Sequence, residues 1–551
     1  MNERGKTTRP LVASADFTKC NSASVQRMHH YAWQGCLRLG TSPSLQHKQP
    51  QKDLDDDQKY RYFIQITDFH VDLNYKQGTS VKTACHRSPN MNKLQEISNN
   101  DLQQEPFFAT KRKHHPAGRL GAPFEKCDTP LELAQQTLDW VARNWKDKVD
   151  FVIWTGDNSR HDWDRKESRR RNHILKLNKL VTDMMAETFD NDIPIIPCLG
   201  NNDVYPHNRI VDHDDILPFF ANLWEDYIPP SERNHFLQGG YFVKDIGKNL
   251  RIISLNTMYF IKKNKSVNSC RKNGPARDHM QWFDEALKQA KIDKKRVFIM
   301  GHVPPSPRDY RGTCFRQYLD ITSNHNHVIA GHFFGHLNMD HFLLYDSQQY
   351  SINKKSSKLA TATSTRRRKP LSTLSDFGED DDEFHVSRNI ERYVDWLRDM
   401  YESIEVPKDT QKTPPDQEDD SNLVAIHVSP SILPVYYPTV RIYRYTDSLQ
   451  GPTLLGYNQY YANITRWEQD HLPGEPLEYE LEYTTENDYD LQDLSASSLF
   501  KFAKYMIEGE SDTMWNSYTR NMFIRTQNET FPIDDDDDDD DGDDDDDDDG
   551  Y

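Results

Sequence analysis

Aspartate, histidine and asparagine occur together at five points of the sequence, each directly after a short apolar run that predicts a strand. Asp68 and His70 are two residues apart, so on an extended segment their side chains lie on the same side and can bind one ion. The other segments are Gly156-Asp157, Gly200-Asn201-Asn202-Asp203, Gly301-His302 and Gly335-His336-Leu337-Asn338. Each segment alone is a common turn sequence, but the ordered set indicates one centre that binds metal through oxygen and nitrogen atoms.

The elements that must position these residues alternate between strand and helix, which indicates an α/β fold built in layers. Short uninterrupted apolar runs predict buried strands over residues 62–67, 151–155, 193–199, 251–256, 296–300 and 327–330. Helical spacing predicts helices over residues 130–145, 174–189 and 278–291. Ligands in such folds bind beyond the carboxyl ends of the strands, which is where the five segments stand.

Composition divides the chain into five parts. Residues 1–59 are polar and predict a disordered tail, and residues 60–345 form the core that carries the five segments. Residues 346–422 are interpreted as a low-complexity insertion with one helical pattern near residues 390–401, and residues 423–530 as a β/α extension packed on the core. Residues 531–551 are a tail with fifteen aspartates, which supply most of the net charge of -19. The acidity therefore belongs to the tail and not to the fold.

Longer strings around these segments resemble one family. The order Asp-x-His, Gly-Asp, Gly-Asn, Gly-His and Gly-His is similar to the pattern of the calcineurin-like metallophosphoesterases over residues 60–345. Within that family, the sequence resembles the fungal vacuolar endopolyphosphatases, a branch related to acid sphingomyelinase. The strings that carry this likeness are FVIWTGDNSRHD, PCLGNNDVYPHN, MGHVPPS and FFGHLNMDHF, and SPSILPVYYPTVRIYRY extends it to about residue 445. The resemblance implies a layered β-sandwich flanked by helices.

The resemblance also implies two divalent metal ions. The ligands that it implies are Asp68 and His70 for one metal, Asp157 as the bridge, and Asn201, His302 and His336 for the other. Where the family has a second histidine after His336, this chain has Asn338, so the first metal takes either that amide or a neighbouring histidine, His341 or His332. A set of oxygen and nitrogen ligands without thiolates suits Mn, Mg, Co, Zn or Fe and does not select one of them.

Two further residues receive catalytic roles from the resemblance. Asn202 stands where the superfamily has a catalytic histidine, and an amide can donate a hydrogen bond to a phosphoryl oxygen but cannot deliver a proton. His161 follows Asp157 in a pattern shared with the sphingomyelinase-like branch and is the predicted proton donor to the leaving oxygen. The alternative role for His161 is a hydrogen bond that supports a metal ligand.

A polyanionic substrate requires cations beyond the two metals. The basic run just after His161 is the preferred candidate, and the substrate-binding residues predicted there are Arg165, Arg169, Arg170 and Arg171. Other basic runs cover residues 111–115, 262–265 and 366–369. Any one such run is more often a solvated face than a binding site.

The seven cysteines show no Cys-x-x-Cys spacing, so a zinc ribbon is not expected. Cys85 and Cys127 bracket one loop, and Cys270 and Cys314 bracket a helix and a strand, which suits two disulfides in an oxidising compartment. Free buried thiols are the alternative. Asparagine sequons at Asn264, Asn463 and Asn528 permit a secretory route and glycosylation.

The leading interpretation is an endopolyphosphatase that cuts internal phosphoanhydride bonds of inorganic polyphosphate with a hydroxide activated by two metals. No nucleic-acid partner is expected. The alternatives are a sphingomyelinase-like phosphodiesterase, which would need a lipid-presenting domain that residues 1–59 do not supply, and a non-catalytic protein that binds polyanions. The resemblance implies a vacuolar location with a membrane anchor, although no targeting or membrane-spanning segment is visible in the sequence.

Overall fold

Two six-stranded sheets stack face to face in a computed structural model of the protein. The structure describes residues 60–88, 116–190, 193–350, 390–404, 422–448, 451–508 and 512–525, all within one unit of residues 57–551. The predicted tails of residues 1–59 and 531–551 lie outside the described residues. Most of the predicted insertion also lies outside them.

The first sheet has the order β14-β13-β12-β1-β4-β5 and the second has the order β10-β11-β9-β8-β7-β6, while β2 and β3 form a separate small pair. Their bounds are β1 (Arg61–Ile66), β2 (Val71–Asp72), β3 (Thr129–Pro130), β4 (Phe151–Trp154), β5 (Ile195–Pro197), β6 (Phe242–Ile246), β7 (Leu250–Ser254), β8 (Arg296–Met300), β9 (Ile329–Phe334), β10 (His341–Asp346), β11 (Leu423–Val428), β12 (Thr439–Ser448), β13 (Gly451–Tyr461) and β14 (Glu480–Thr484).

Helices flank the sheets. Their bounds are α1 (Leu131–Asn144), α2 (Arg171–Phe189), α3 (Leu217–Leu223), α4 (Arg233–Gly239), α5 (Pro275–Ile292), α6 (Gly312–Asn324), α7 (Ser347–Tyr350), α8 (Ile390–Ser403), α9 (Ile464–Asp470), α10 (Thr485–Tyr489), α11 (Ala496–Glu508) and α12 (Thr513–Met522). Pro275 is the first residue of α5, where its fixed φ suits a helix start and its missing N–H is not needed. Among the described residues, none of the helices combines the length and apolar character that a membrane crossing requires.

The core lies between the sheets and centres on aromatic rings. Phe63 in β1 is fully buried and stacks on Phe151 and Tyr443 of its own sheet, with ring centroids 4.8 Å apart in both pairs. It also meets Phe298 and Phe333 of the opposite sheet at 5.3 and 5.4 Å. The strands β1, β4 and β5 run parallel and are buried, which explains their uninterrupted apolar sequence.

The predicted layered α/β fold is confirmed. The six predicted strands correspond to β1, β4, β5, β7, β8 and β9, and the three predicted helices correspond to α1, α2 and α5. The late strands extend the prediction, because β12 pairs antiparallel with β1 and β11 lies between β10 and β9. Residues 423–461 thus supply strands inside both sheets and do not merely pack on the outside of the core.

Both predicted disulfides, Cys85–Cys127 and Cys270–Cys314, are present, and Cys198 is a buried free thiol.

The asparagine side chains of the sequons differ in their exposure to solvent. Asn264 is fully buried and its amide donates to the backbone oxygens of Ile210 and Met258, so in this fold its side chain cannot carry a glycan. Asn463 is half-buried at the start of α9, and Asn528 lies outside the described residues.

A buried ion pair joins the two sheets. Arg441 in β12 is fully buried and pairs with Asp340, which precedes β10. The guanidinium carbon lies 4.0 Å from the ring centroid of Tyr457, and Nε donates to Gln459 Oε1 at 2.7 Å. The Tyr483 hydroxyl also donates to Asp340. Among the described residues, each charge is therefore compensated by the other charge and by a few dipoles.

We expect Arg441→Ala to lower the free energy of unfolding by about 3–5 kcal/mol, because Asp340 is left buried without its cation. The matched control is Arg466→Ala, which breaks an exposed pair with Glu480 and should cost about 1 kcal/mol or less. Urea unfolding followed by tryptophan fluorescence measures both. Equal losses in the two variants would show that Arg441 and Asp340 do not depend on each other.

Candidate metal centre

The strand ends bring the predicted ligands together in strained backbone conformations. Positive φ angles occur at Asp68 (54°), His70 (43°), Asp157 (60°), His336 (72°) and Asn338 (56°). Such conformations cost about 1–3 kcal/mol each in residues other than glycine and persist where the surrounding structure imposes them, most often at functional sites. Five of the seven predicted ligand positions share this conformation, which also occurs at other described residues, and at the centre it turns the chain after each strand.

Glycines allow the chain to pass close to Asp157. Gly156 has a φ of 89°, which side chains disfavour, as the sequence predicts for a turn before the carboxylate. A Cβ atom at Gly200 would lie 2.0 Å from Asp157 Oδ1. Any side chain at position 200 would therefore displace this carboxylate.

Backbone carbonyls fix the tautomers of two histidines. His70 Nδ1 is 3.1 Å from the Ser159 carbonyl oxygen, and His302 Nδ1 is 2.8 Å from that of Thr155. A carbonyl only accepts, so both Nδ1 atoms carry hydrogen and, in the neutral rings, both Nε2 atoms present lone pairs. These are the atoms that face the carboxylates. Contacts of this kind hold metal-binding imidazoles in position.

Two ligand sets share Asp157. In the first, His70 Nε2 lies 3.5 Å from both Asp68 Oδ1 and Asp157 Oδ2. In the second, His302 Nε2 lies 3.1 Å from Asp157 Oδ2, 2.8 Å from Asn201 Oδ1 and 3.2 Å from His336 Nδ1. Within each of the sets Asp68, His70, Asp157 and Asp157, His302, His336, the ligand atoms lie within 4.8 Å of one another.

The chemistry of this cluster fits cations. Asp68 Oδ1 and His70 Nε2 are buried and have no hydrogen-bond partner among the described residues. Buried polar atoms without partners are costly, and lone pairs of imidazole and carboxylate that point at each other repel. Divalent ions between these atoms satisfy them all at once. The two adjacent sets fit two divalent metal ions.

The structure separates the three alternatives for the remaining ligand of the first metal. Asn338 Oδ1 is buried and has no hydrogen-bond partner among the described residues. His341 Nε2 contacts the Tyr393 hydroxyl at 2.7 Å, and His332 Nδ1 contacts the Tyr318 hydroxyl at 2.7 Å. Both histidines thus have partners elsewhere in the core, which favours Asn338.

A carboxylate that the motif did not reveal orients His161. Asp128 Oδ1 lies 2.6 Å from His161 Nδ1, and its Oδ2 accepts from the His161 backbone N–H at 2.9 Å. The His161 ring stacks between His70 and Trp163, with centroids 4.1 Å apart on both sides. Burial opposes ionisation of Asp128, but the charge and hydrogen bond of His161 outweigh it and lower the pKa of this carboxyl group.

Asn202 lies at the bridging carboxylate. Its backbone N–H donates to Asp157 Oδ1 at 2.8 Å and its side-chain Nδ2 donates to Asp157 Oδ2 at 3.0 Å. The buried Asp203 accepts from the N–H groups of Asp157, Asn158 and Gly200 at 2.8 to 3.0 Å. The loops after β4 and β5 are therefore held together through residues 202 and 203.

The arginines of the basic run after His161 differ in their exposure to solvent. Arg169 is only 5% exposed, and its Nη1 donates to the carbonyl oxygens of Arg160 and Asn202 at 2.7 and 3.1 Å. The structure does not support the predicted contact of Arg169 with substrate, because Nη1 is hydrogen-bonded to these backbone oxygens near the centre. Arg171 pairs with Asp215 at 2.7 Å, whereas Arg165 and Arg170 are exposed.

His207 is a second residue that the motif did not reveal. Its Nε2 lies 2.8 Å from Asn201 Nδ2. Since an amide nitrogen only donates, His207 accepts this hydrogen bond and turns the amide oxygen of Asn201 toward His302. Its position six residues beyond Asn201 on the same loop carries no sequence signal for this contact.

The fold and the paired ligand sets define a metallophosphoesterase. The sequence matches the calcineurin-like phosphoesterase family over residues 62–337 and the acid sphingomyelin phosphodiesterase C-terminal region over residues 422–535. Because the first match covers half of the chain, the protein belongs to the calcineurin-like phosphoesterase family.

Curated relatives are fungal endopolyphosphatases. That of Cryptococcus neoformans is 32% identical over 446 residues, covering 78% of this chain and 64% of the relative. That of Debaryomyces hansenii is 35% identical over 338 residues, covering 58% and 44%, and that of Saccharomyces cerevisiae is 31% identical over 371 residues, covering 62% and 51%. The chain thus spans 44% to 64% of the length of these relatives.

Among solved structures, a dimetal phosphatase from Danio rerio aligns with 52% of this chain and 84% of its own length. Its identity is 13% and its TM-score is 0.30, a similarity too distant to support an argument.

We expect His207→Ala to weaken the binding of one of two metal ions by about 10- to 100-fold, because the Asn201 amide loses the acceptor that orients it. His207→Gln should restore affinity, since its side-chain oxygen can accept the same hydrogen bond. His213→Ala, an exposed histidine on the same loop, is the matched control. Titration calorimetry of metal-stripped protein with Mn²⁺ measures each step, and unchanged affinities in His207→Ala would contradict this role.

Proposed function

We propose that this protein is an endopolyphosphatase that hydrolyses internal phosphoanhydride bonds of inorganic polyphosphate. The observation that carries the proposal is the buried centre in which two ligand sets share Asp157. It is supported by the three fungal relatives, which are named endopolyphosphatases. The vacuole is the proposed location, and two disulfides suit a compartment of that kind.

Two divalent ions held here would act as Lewis acids on the phosphoryl oxygens and lower the pKa of a bound water so that it can attack. The proposed ligands are Asp68, His70 and Asn338 for one ion, Asp157 for both, and Asn201, His302 and His336 for the other. Asn202 would keep the Asp157 carboxylate in its bridging orientation through the two hydrogen bonds that it donates.

His161 is the proposed proton donor to the leaving oxygen. Asp128 holds the hydrogen on Nδ1, so Nε2 is the atom that would deliver a proton. A leaving phosphate is already a stabilised anion and needs little protonation, whereas an alkoxide needs an acid. A centre with an amide at Asn202 and a single histidine donor therefore suits an anhydride substrate better than an ester.

A second candidate is a phosphodiesterase of the sphingomyelinase type. The match of residues 422–535 to the C-terminal region of acid sphingomyelin phosphodiesterase favours it. The same assays on an alkyl phosphodiester distinguish the two activities.

Purified protein with long-chain polyphosphate and Mn²⁺ or Mg²⁺ should yield fragments of intermediate length early in the time course, visible on a sizing gel. EDTA should abolish the reaction. Asp157→Asn should remove at least one metal ion per chain and the activity with it, whereas Asp183→Asn on the exposed face of α2 should change neither. Release of orthophosphate alone from chain ends would make the protein an exopolyphosphatase.

Substitutions at the proton donor should separate the two leaving groups. His161→Ala should slow anhydride cleavage by about 10²-fold or less and slow alkyl diester cleavage more. Asn202→His should raise diester turnover relative to polyphosphate turnover. The measurement is the rate of wild type, His161→Ala and Asn202→His on polyphosphate and on the alkyl phosphodiester. Equal losses in His161→Ala, with no gain in Asn202→His, would mean that neither residue handles the leaving-group proton.

A further inference from the structure

A group of cations lies on loops that lead away from the metal centre. The loop after β5 carries Asn201 near its start, and the loop after β8 begins near His302. The loop after β7 contacts both of them. Ser254 Oγ at the end of β7 donates to the Pro197 carbonyl at the end of β5, 2.8 Å away. Val303 N donates to Thr257 Oγ1 at 3.1 Å, which joins the loops after β7 and β8. All three loops thus leave the same edge of the molecule.

Buried contacts fasten these loops into one surface. The fully buried Asn264 donates to the Ile210 carbonyl at 2.9 Å, linking the loops after β7 and β5. Lys262 N donates to the Asp309 carbonyl and Arg311 N to the Phe260 carbonyl, both at 2.9 Å, linking the loops after β7 and β8. The surface is therefore preorganised and not a set of independent loops.

We call this surface the cationic ledge, and define it by Arg209, Lys262, Lys263, Lys265, Arg308 and Arg311. Among the described residues, no carboxylate lies within ion-pair distance of Arg209, Lys262 or Lys265. By contrast, Lys179 and Lys288 form ion pairs, since they lie 2.6 and 2.8 Å from a carboxylate four residues away on their helices.

Lys262 and Arg311 have no carboxylate partner among the described residues. The acceptor that these residues offer Lys262 Nζ is a backbone oxygen, that of Pro307, at 3.0 Å. Arg311 Nε is buried and has no acceptor in the described part of the chain. Asp309, the acid nearest in sequence, accepts from the Ser306 hydroxyl at 2.6 Å and lies 3.8 Å from Arg308 Nε, so it offsets one charge of the ledge. An anion on this surface would find several donors at fixed positions.

We propose that the cationic ledge binds the part of a phosphate chain that extends beyond the bond at the metal centre. This inference rests on the proposed function and names its substrate subsite. Ammonium groups suit a flexible polyanion, because they attract charge without demanding one orientation, and the arginines add directional hydrogen bonds. A surface built from three loops is wider than one phosphate, so it favours a chain that continues past the centre and hence internal cleavage.

The test compares two triple variants with the same change in charge. Lys262→Gln/Lys263→Gln/Lys265→Gln neutralises the ledge, and Lys179→Gln/Lys288→Gln/Lys291→Gln neutralises exposed lysines on α2 and α5. The ledge variant should raise KM for long-chain polyphosphate by about 10-fold with kcat unchanged, and make KM less dependent on salt. KM for tripolyphosphate should change less than about 2-fold. The helix variant should match the wild type on both substrates. Arg209→Gln, on the neighbouring loop, should shift KM in the same direction as the ledge variant.

Binding of end-labelled long-chain polyphosphate in EDTA, followed by fluorescence anisotropy, measures the ledge without hydrolysis. Weaker binding by the ledge variant alone supports the proposal. Equal KM changes for both substrates, or binding equal to that of the wild type, overturn it. If wild-type protein binds the chain through the ledge but never cleaves it, the ledge stands and the proposed activity fails.

Discussion

The convergence of several potential metal ligands on one buried carboxylate is the constraint on which the site depends. Asp157 is fully buried and faces His70, His302 and the amide of Asn202 within 3.5 Å. The lone pairs of the two imidazoles and the carboxylate are stable together in a dry interior only with positive charge between them. The strained φ angles of the ligands, and the glycine at position 200, follow from bringing five strand ends to that point.

The C-terminal region is part of this arrangement and not an accessory to it. The backbone N–H groups of Ile432 and Leu433 donate to the carbonyls of Thr67 and Asp68 at 3.2 and 3.0 Å. Strand β12 then pairs along β1, which carries Asp68 at its end. The segment that matches the sphingomyelin phosphodiesterase C-terminal region therefore positions Asp68, a proposed ligand of the first metal. Removing it would open the edge of the first sheet as well as this loop.

Local patterns predict the ligands because each stands directly after a strand, and strand order alone brings those ends together. Asp128 and His207 could not be found in this way, since their contacts depend on how a disulfide loop and a surface loop fold back. Arg169 was predicted to bind substrate, but it is buried and donates to backbone carbonyls. The sequence alone does not distinguish such an arginine from an exposed one. Strands β6 and β10 and helix α6 were also not predicted, and α6 contains Cys314, one of the paired cysteines.

Electrostatics connect the centre with its surface. Asp68 and Asp157 together carry two negative charges against the four positive charges of two divalent ions, so a loaded centre attracts a phosphate while an empty one repels it. That attraction acts on the phosphates at the centre and fades along the chain within about one Debye length, roughly 10 Å at moderate salt. A long polyanion extends beyond that range and is no longer held by the charge of the metals. Cations on loops that leave the same edge of the molecule as the ligands extend the favourable field outward, which is where a flexible substrate needs it.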